Sequence, residues 1–209
     1  MIALSQVAFG LIWLTTAGLL IVKSPHSAAA LYRLQAMAEA LVAAAAALAG
    51  ARPWLWLSVV LILVIKVAVI PPVVMRGLGT RRTDYGGDGA FGIGALLLIA
   101  ALLSVGGFLL GRLGLPHPAL MGMGFAALFV ALVHASSRYQ VWSMLWALLS
   151  LDTVVGAITL IWGRGLPEMA DVAIDLVSLG LALVLAYLAQ RIDRIMHARD
   201  IREMEDLVG

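Results

Sequence analysis

The sequence WLWLSVVLILVIKVAVIPPVVM, residues 54–75, decides the fold class of this chain. At ~1.5 Å per residue, this apolar segment is long enough to cross the ~30 Å hydrocarbon core of a bilayer as a helix. Lys66 lies about ten residues before Arg76, which is too deep for its ammonium group to reach the membrane surface easily. A charge at that depth costs ~2.5–3.5 kcal/mol on insertion scales, so Lys66 is expected to have a partner in another span. Pro71 and Pro72 predict a break in the same helix.

The composition extends this interpretation to the whole chain. Hydrophobic residues make up 63% and charged residues 12%, whereas soluble domains have ~45–50% and ~25%. Several apolar runs are long enough to span a membrane, which predicts an all-α, polytopic transmembrane protein in a lipid bilayer. The net charge is only +2, and the arginines fall between the apolar runs, so no nucleic-acid partner is predicted.

We predict about seven spans, at residues 2–22, 28–50, 54–75, 89–111, 118–137, 140–162 and 170–190. They divide into a three-span unit (1–77), a linker span (89–111) and a second three-span unit (118–190). Together these form a single transmembrane domain, 1–190, followed by a cytoplasmic tail, 191–209. Both units have a short basic loop after their first helix and a loop with proline after their second. This 3+1+3 arrangement hints at a parallel internal repeat.

The basic residues give the predicted topology. Under this assignment Arg52, Arg112 and Arg164 share one side of the membrane. The other side holds Lys23, Arg33, Arg76, Arg81, Arg82, Arg138, Arg191, Arg194, Arg199 and Arg202. Because Lys and Arg concentrate in cytoplasmic loops, the N-terminus is predicted to lie outside and the C-terminus in the cytoplasm.

Acidic residues within or beside the spans are the candidates for function. Glu39 lies in the second span, Asp152 in the sixth, and Asp171 and Asp175 at the start of the seventh. Carboxyl groups and a lysine at low dielectric can gain and lose protons, so these residues and Lys66 form a candidate proton path. The alternative is a static ion pair of Lys66 with Glu39 or Asp175, with Asp171 simply at the membrane surface.

Signals for catalysis in this chain are missing from the sequence. Its histidines and carboxylates do not have metal-ligand spacing, and it contains no nucleophile elbow and no nucleotide-binding glycine pattern. We therefore predict no catalytic, cofactor-binding or metal-binding residues.

Four short motifs, in this order and spacing, resemble a known family. They are Lys23-Ser24 followed by Gln35, Lys66-Val67 followed by Pro71, Ser137-Arg138, and Pro167-Glu168 followed by Asp171. The chain resembles component E of hydrogenase 4, a membrane subunit of group 4 nickel–iron hydrogenases and formate hydrogenlyase-type complexes. Its last three spans also resemble the small three-span subunit of complex I and of multi-subunit cation/proton antiporters, whose intramembrane carboxylates correspond most nearly to Asp152 and Asp175.

The resemblance implies an accessory role in a larger oxidoreductase complex in the cytoplasmic (inner) membrane of a bacterium or archaeon. The implied partners are antiporter-like subunits, complex I-like membrane subunits and a peripheral hydrogenase module. The nickel–iron site and the iron–sulfur clusters would belong to that module. A stand-alone small-solute transporter and a purely structural spacer are the competing interpretations of the same sequence.

Overall fold

The computed structural model describes residues 2–49, 54–78, 92–113, 115, 117–137, 141–162 and 170–196. The described regular elements are helical. They are α1 (Ile2–Ile21), α2 (Pro25–Leu48), α3 (Leu55–Leu61), a π-helical segment (Ile62–Val69), α4 (Ile70–Leu78), α5 (Ile93–Gly111), α6 (Pro118–Ser137), α7 (Val141–Trp162) and α8 (Ala170–Met196). Prolines at the first positions of α2 and α6 suit helix starts, where the missing N–H is not needed.

Within the described residues, six of the predicted spans are long and apolar enough to cross a membrane, which confirms the all-α polytopic prediction. The third of these runs from Leu55 to Arg76 through α3, the π segment and α4. The seventh predicted span corresponds to α8, a helix of 27 residues whose described apolar stretch is Leu176–Leu188. At ~1.5 Å per residue α8 is long enough to span, and its crossing stays a prediction. The loop at 79–91 and the tail beyond Met196 lie outside the described residues.

The helix that carries Lys66 is widened rather than broken. We expected a break at Pro71 and Pro72, but α4 begins at Ile70 and continues through both prolines. Immediately before them the chain is π-helical, and the Ile70 N–H donates to the carbonyl of Ile65, five residues earlier. A proline ring clashes with the carbonyl four residues before it in an α-helix, and the wider π turn relieves that clash.

The linker span α5 lies at the periphery and packs against α6. A β-carbon on Gly107 would overlap the backbone of Phe125 and Ala126, and one on Gly111 would overlap the backbone of Gly122. Small residues therefore let these two helices approach closely, as they do in many membrane proteins. Much of the remaining α5 surface is exposed and apolar, as expected for a helix that faces lipid.

The two three-span units meet along one interface. Helix α1 contacts α6, α2 contacts α7, and α3 and α4 contact α8. One buried apolar cluster at this interface includes Tyr32, Ile65 and Trp146. Another includes Val42 and Val154. Lys66 and its partners lie where α2, the π segment, α7 and α8 come together.

Candidate functional site: a buried ion triad

Lys66 is fully buried and is held by a carboxylate from the neighbouring helix. Its Nζ lies 2.8 Å from Oε1 of Glu39 and 3.0 Å from Oε2, so the ammonium group binds both oxygens. Glu39 is 1% exposed. Breaking a buried pair costs ~3–5 kcal/mol because the remaining charge is left uncompensated, so α2 and the π segment are tied firmly here.

Asp152 of α7 is the second acidic partner of Lys66. Its Oδ2 lies 3.1 Å from Lys66 Nζ, and its side chain is 20% exposed, unlike Lys66 and Glu39. The Ser178 hydroxyl of α8 lies 2.8 Å from Oδ1 of Asp152 and can donate to it. We call Lys66, Glu39 and Asp152 the Lys66 triad. Its members come from both three-span units, so the site exists only where the units meet.

The triad lies near the middle of the membrane. Lys66 is about eleven residues from the start of α3 and Asp152 about ten from the end of α7, or ~15 Å from those ends at ~1.5 Å per residue. Two buried apolar clusters, one around Trp146 and one around Val154, pack next to it. Opposite charges interact strongly where water is excluded.

Gly156 provides the space that the triad occupies. It lies one turn after Asp152 on α7, and a β-carbon there would overlap Oε1 of Glu39 and lie 3.5 Å from Lys66 Nζ. Any larger residue would therefore displace the Glu39 carboxylate. The close contact between α2 and α7 at this level depends on this glycine.

A second polar contact lies one turn before Glu39 on α2. The buried Gln35 side chain places Nε2 3.0 Å from Oγ1 of Thr16 on α1 and 2.9 Å from Oγ of Ser150 on α7. Its amide therefore joins three helices beside the triad. One turn earlier, the ring of Tyr32 packs against Trp146 with centroids 5.5 Å apart.

The structure brings together three of the five predicted path residues: Lys66, Glu39 and Asp152. Asp171 and Asp175 lie on α8, but their side chains are outside the described residues, and so is Glu168. Whether any of these groups carries protons stays a prediction. Among the described residues, no group of three His, Cys, Asp or Glu side chains could hold a metal ion.

Sequence reasoning did not identify Gly156 as part of the site, and it grouped Ser178 with Asp171 and Asp175 on the seventh span without placing it beside Asp152. Both occur at helical spacing that could have indicated them. Gly156 follows Asp152 by four residues, which places it on the same helix face, and Ser178 follows Asp175 and Asp171 on one face of α8. Neither spacing predicts which helix that face meets.

The charges of the triad define what it can do chemically. With all three groups ionised, two carboxylates face one ammonium and the cluster has a net charge of −1. Binding one proton makes it neutral. The triad can therefore exist in two protonation states that differ by one buried charge.

In comparisons with known proteins, no family model, no curated protein and no solved structure matches this chain significantly.

Proposed function

We propose that this chain is a non-catalytic integral membrane subunit of a complex I-like respiratory hydrogenase or formate hydrogenlyase-type complex, in which the Lys66 triad takes part in redox-coupled proton translocation. The observation that carries the proposal is the triad itself. Ionisable side chains are rare within membrane spans and are usually retained for the movement of ions or protons. The sequence motifs given above support the assignment to this type of complex.

The proposed mechanism uses the two protonation states of the triad. The added proton resides on Glu39 or Asp152, and Lys66 stays between the two groups, hydrogen-bonded to Glu39 and 3.1 Å from Oδ2 of Asp152. When a charge moves in a neighbouring subunit, its field favours one state over the other, because Coulomb interactions are weakly screened at low dielectric. Proton uptake and release then follow the charge movement.

The unequal exposure of the two carboxylates supports a path rather than a closed pair. Asp152 is partly exposed while Glu39 is buried. Asp152 is also bound by the Ser178 hydroxyl, a group that can pass a hydrogen bond onward. The triad therefore has one member from which a proton can be exchanged with the surroundings of α7 and α8.

Replacement of Lys66 by Met in the assembled complex tests the proposal. We expect proton translocation in proteoliposomes to be lost while the complex still assembles, because the cation that holds the two carboxyl groups together is gone. Lys23→Met is the matched control, since Lys23 is the other lysine of the chain and is exposed. Normal translocation by Lys66→Met would overturn the proposed role.

A structural spacer is the second candidate function. The two-oxygen contact between Glu39 and Lys66 is the observation that favours it, because such a pair can hold α2 against the π segment without moving a proton. A Lys66→Met/Glu39→Gln variant removes both charges of this pair together. If that variant translocates protons at the normal rate, the spacer function is the correct one.

Copurification distinguishes a subunit of a larger complex, whether it carries protons or acts as a spacer, from a stand-alone transporter. We expect a tagged chain, extracted in mild detergent, to bring with it antiporter-like membrane subunits and an iron- and nickel-containing hydrogenase. The clusters must be held by partners, because iron–sulfur clusters need cysteine ligands and this chain has no cysteine. Purification as a homo-oligomer with substrate-binding activity would instead favour the transporter.

A further inference from the structure

A small cavity lies beside Glu39, on one side of the triad. It has a volume of about 10 Å³, and its lining includes Glu39, Ser58, Gly156, Thr159 and Leu160. A site of about this volume accommodates one water molecule if two to four polar partners are within reach. Three of the lining residues, Glu39, Ser58 and Thr159, have oxygen atoms in their side chains.

Ser58 is the most informative of these residues. It is 1% exposed, and among the described residues its hydroxyl has no hydrogen-bond partner. Buried helical hydroxyls elsewhere in the chain, such as those of Thr16 and Ser104, donate to the carbonyl four residues earlier. A buried hydroxyl without a partner is destabilising, so a ligand that accepts a hydrogen bond from Ser58 is favoured.

The other two oxygen-bearing side chains complete the set of partners. The Thr159 hydroxyl already donates to the carbonyl of Gly156, so towards the cavity it can only accept. The Glu39 carboxylate has further lone pairs beyond those directed at Lys66. One water molecule can therefore accept from Ser58 and donate to Glu39 and Thr159, which matches the three hydrogen bonds typical of buried water.

We propose that this cavity binds one water molecule, which joins the Glu39 carboxyl group to Ser58 and gives Glu39 a hydrogen-bonded route toward one membrane face. That face is the one at which α2 and α7 end and α3 begins, since successive spans alternate in direction; we call it the Trp162 face. Ser58 and Thr159 each lie three residues from the helix ends there, or ~5 Å at ~1.5 Å per residue.

With this water in place, Glu39 and Asp152 exchange protons by different routes. Glu39 exchanges its proton through the water toward the Trp162 face, whereas Asp152 exchanges through its exposed side next to Ser178 on α8. On the opposite side of the triad, the Gln35 contacts and the Tyr32–Trp146 pair fill the space between the helices. The transport role of the water rests on the proposed function, but its presence does not.

Radiolytic hydroxyl labelling of the full chain in lipid nanodiscs tests the water site. Hydroxyl radicals form from bound water and oxidise adjacent side chains, so Leu160 is expected to be oxidised several-fold faster than Leu149. Leu149 is the control, because it is on the same helix within a buried apolar cluster. Equal rates for the two leucines would overturn the proposal, whatever the behaviour of any variant.

Ser58→Val adds the second arm of the test, since it removes the hydroxyl and fills the cavity. We expect it to lower Leu160 oxidation to the level of Leu149, while Ser137→Ala, on a hydroxyl that donates to the carbonyl of His134 in its own helix, leaves it unchanged. Unchanged labelling in a folded Ser58→Val protein would contradict the site. If Leu160 is labelled as expected but Lys66→Met still translocates protons, the proposed function fails and the water site stands.

Discussion

Gly156 of α7 faces the carboxylate of Glu39 on α2 so closely that a β-carbon on the glycine would overlap Oε1. The pair shows how the site is built. One residue supplies a charge that needs a partner, and the other supplies the space in which the partners can meet. The same glycine is one turn from Asp152, so α7 contributes a carboxylate and a gap on the same face.

Gly156→Ala is therefore expected to destabilise the protein. The added methyl group forces Glu39 away from Lys66, and overpacking of this kind costs ~1–3 kcal/mol even though alanine favours the helix. Thermal unfolding of the purified chain in detergent measures the effect. Gly180→Ala is the matched control, because among the described residues nothing lies within 4 Å of its added β-carbon. Equal midpoints for the two variants would contradict the close contact.

A double variant tests whether the loss acts through Glu39. Glu39→Asp shortens the side chain by one methylene and withdraws its carboxylate from the position that the new methyl group would occupy. We expect Glu39→Asp/Gly156→Ala to be more stable than the sum of the two single effects, since residues in contact couple by ~0.5–3 kcal/mol. Strict additivity would mean that Gly156 acts on another neighbour.

The two carboxylates of the triad are expected to contribute unequally to stability. Glu39 is buried and binds Lys66 with both oxygens, while Asp152 is partly exposed and binds it with one. Glu39→Gln should approach the ~3–5 kcal/mol cost of breaking a buried pair. Asp152→Asn should cost less, because it removes a single-oxygen contact and leaves the two-oxygen contact between Glu39 and Lys66 in place. Denaturant unfolding in mixed micelles gives both values, and the reverse order would refute this ranking.

Much of the fold could be predicted from the sequence, because apolar length alone defines most of the spans. The position of Lys66 deep in its span also predicts an oppositely charged partner, since the cost of an unpaired charge in lipid does not depend on structural detail. The faces by which the helices pack against one another could not be predicted from the sequence. The contact of Gly156 with Glu39 depends on how α2 and α7 approach, and no property of either residue in its own helix shows it.

The π-helical segment, like the contact of Gly156 with Glu39, could be predicted only in part from the sequence. Pro71 and Pro72 predict a disturbance of the preceding turn, but the form that it takes depends on the surroundings of the helix. Here the chain stays helical over Ile62–Val69, and its hydrogen bonds reach the fifth preceding residue instead of the fourth, as the bond from Ile70 to Ile65 does. Lys66 lies within that widened turn, as residues at functional sites often do.

Gln35 is expected to act as a structural tie rather than as a member of the proton path, because an amide does not titrate. Gln35→Met keeps the side-chain length and removes the hydrogen bonds to Thr16 and Ser150, each worth ~1 kcal/mol. The Ser150 hydroxyl also loses the donor that Gln35 provides. We expect a lower unfolding midpoint with unchanged translocation per folded complex. Gln6→Met, at a half-buried position of α1, is the control. Loss of translocation at normal stability would place Gln35 in the path.

The packing of the linker span offers a test that is independent of the site. Gly106 and Gly107 are neighbours in α5, but an added β-carbon meets the α6 backbone only at Gly107; at Gly106, nothing in the described part of the chain lies within 4 Å. Gly107→Ala should therefore destabilise the protein by ~1–3 kcal/mol, whereas Gly106→Ala should be neutral or stabilising by up to ~1 kcal/mol through helix propensity. Thermal unfolding of both variants in the same detergent measures the difference.

Because α5 contributes no residue to the Lys66 triad, proton translocation per folded complex should be the same in both. If Gly106→Ala were instead the damaging change, the face of α5 that meets α6 would have to be reassigned.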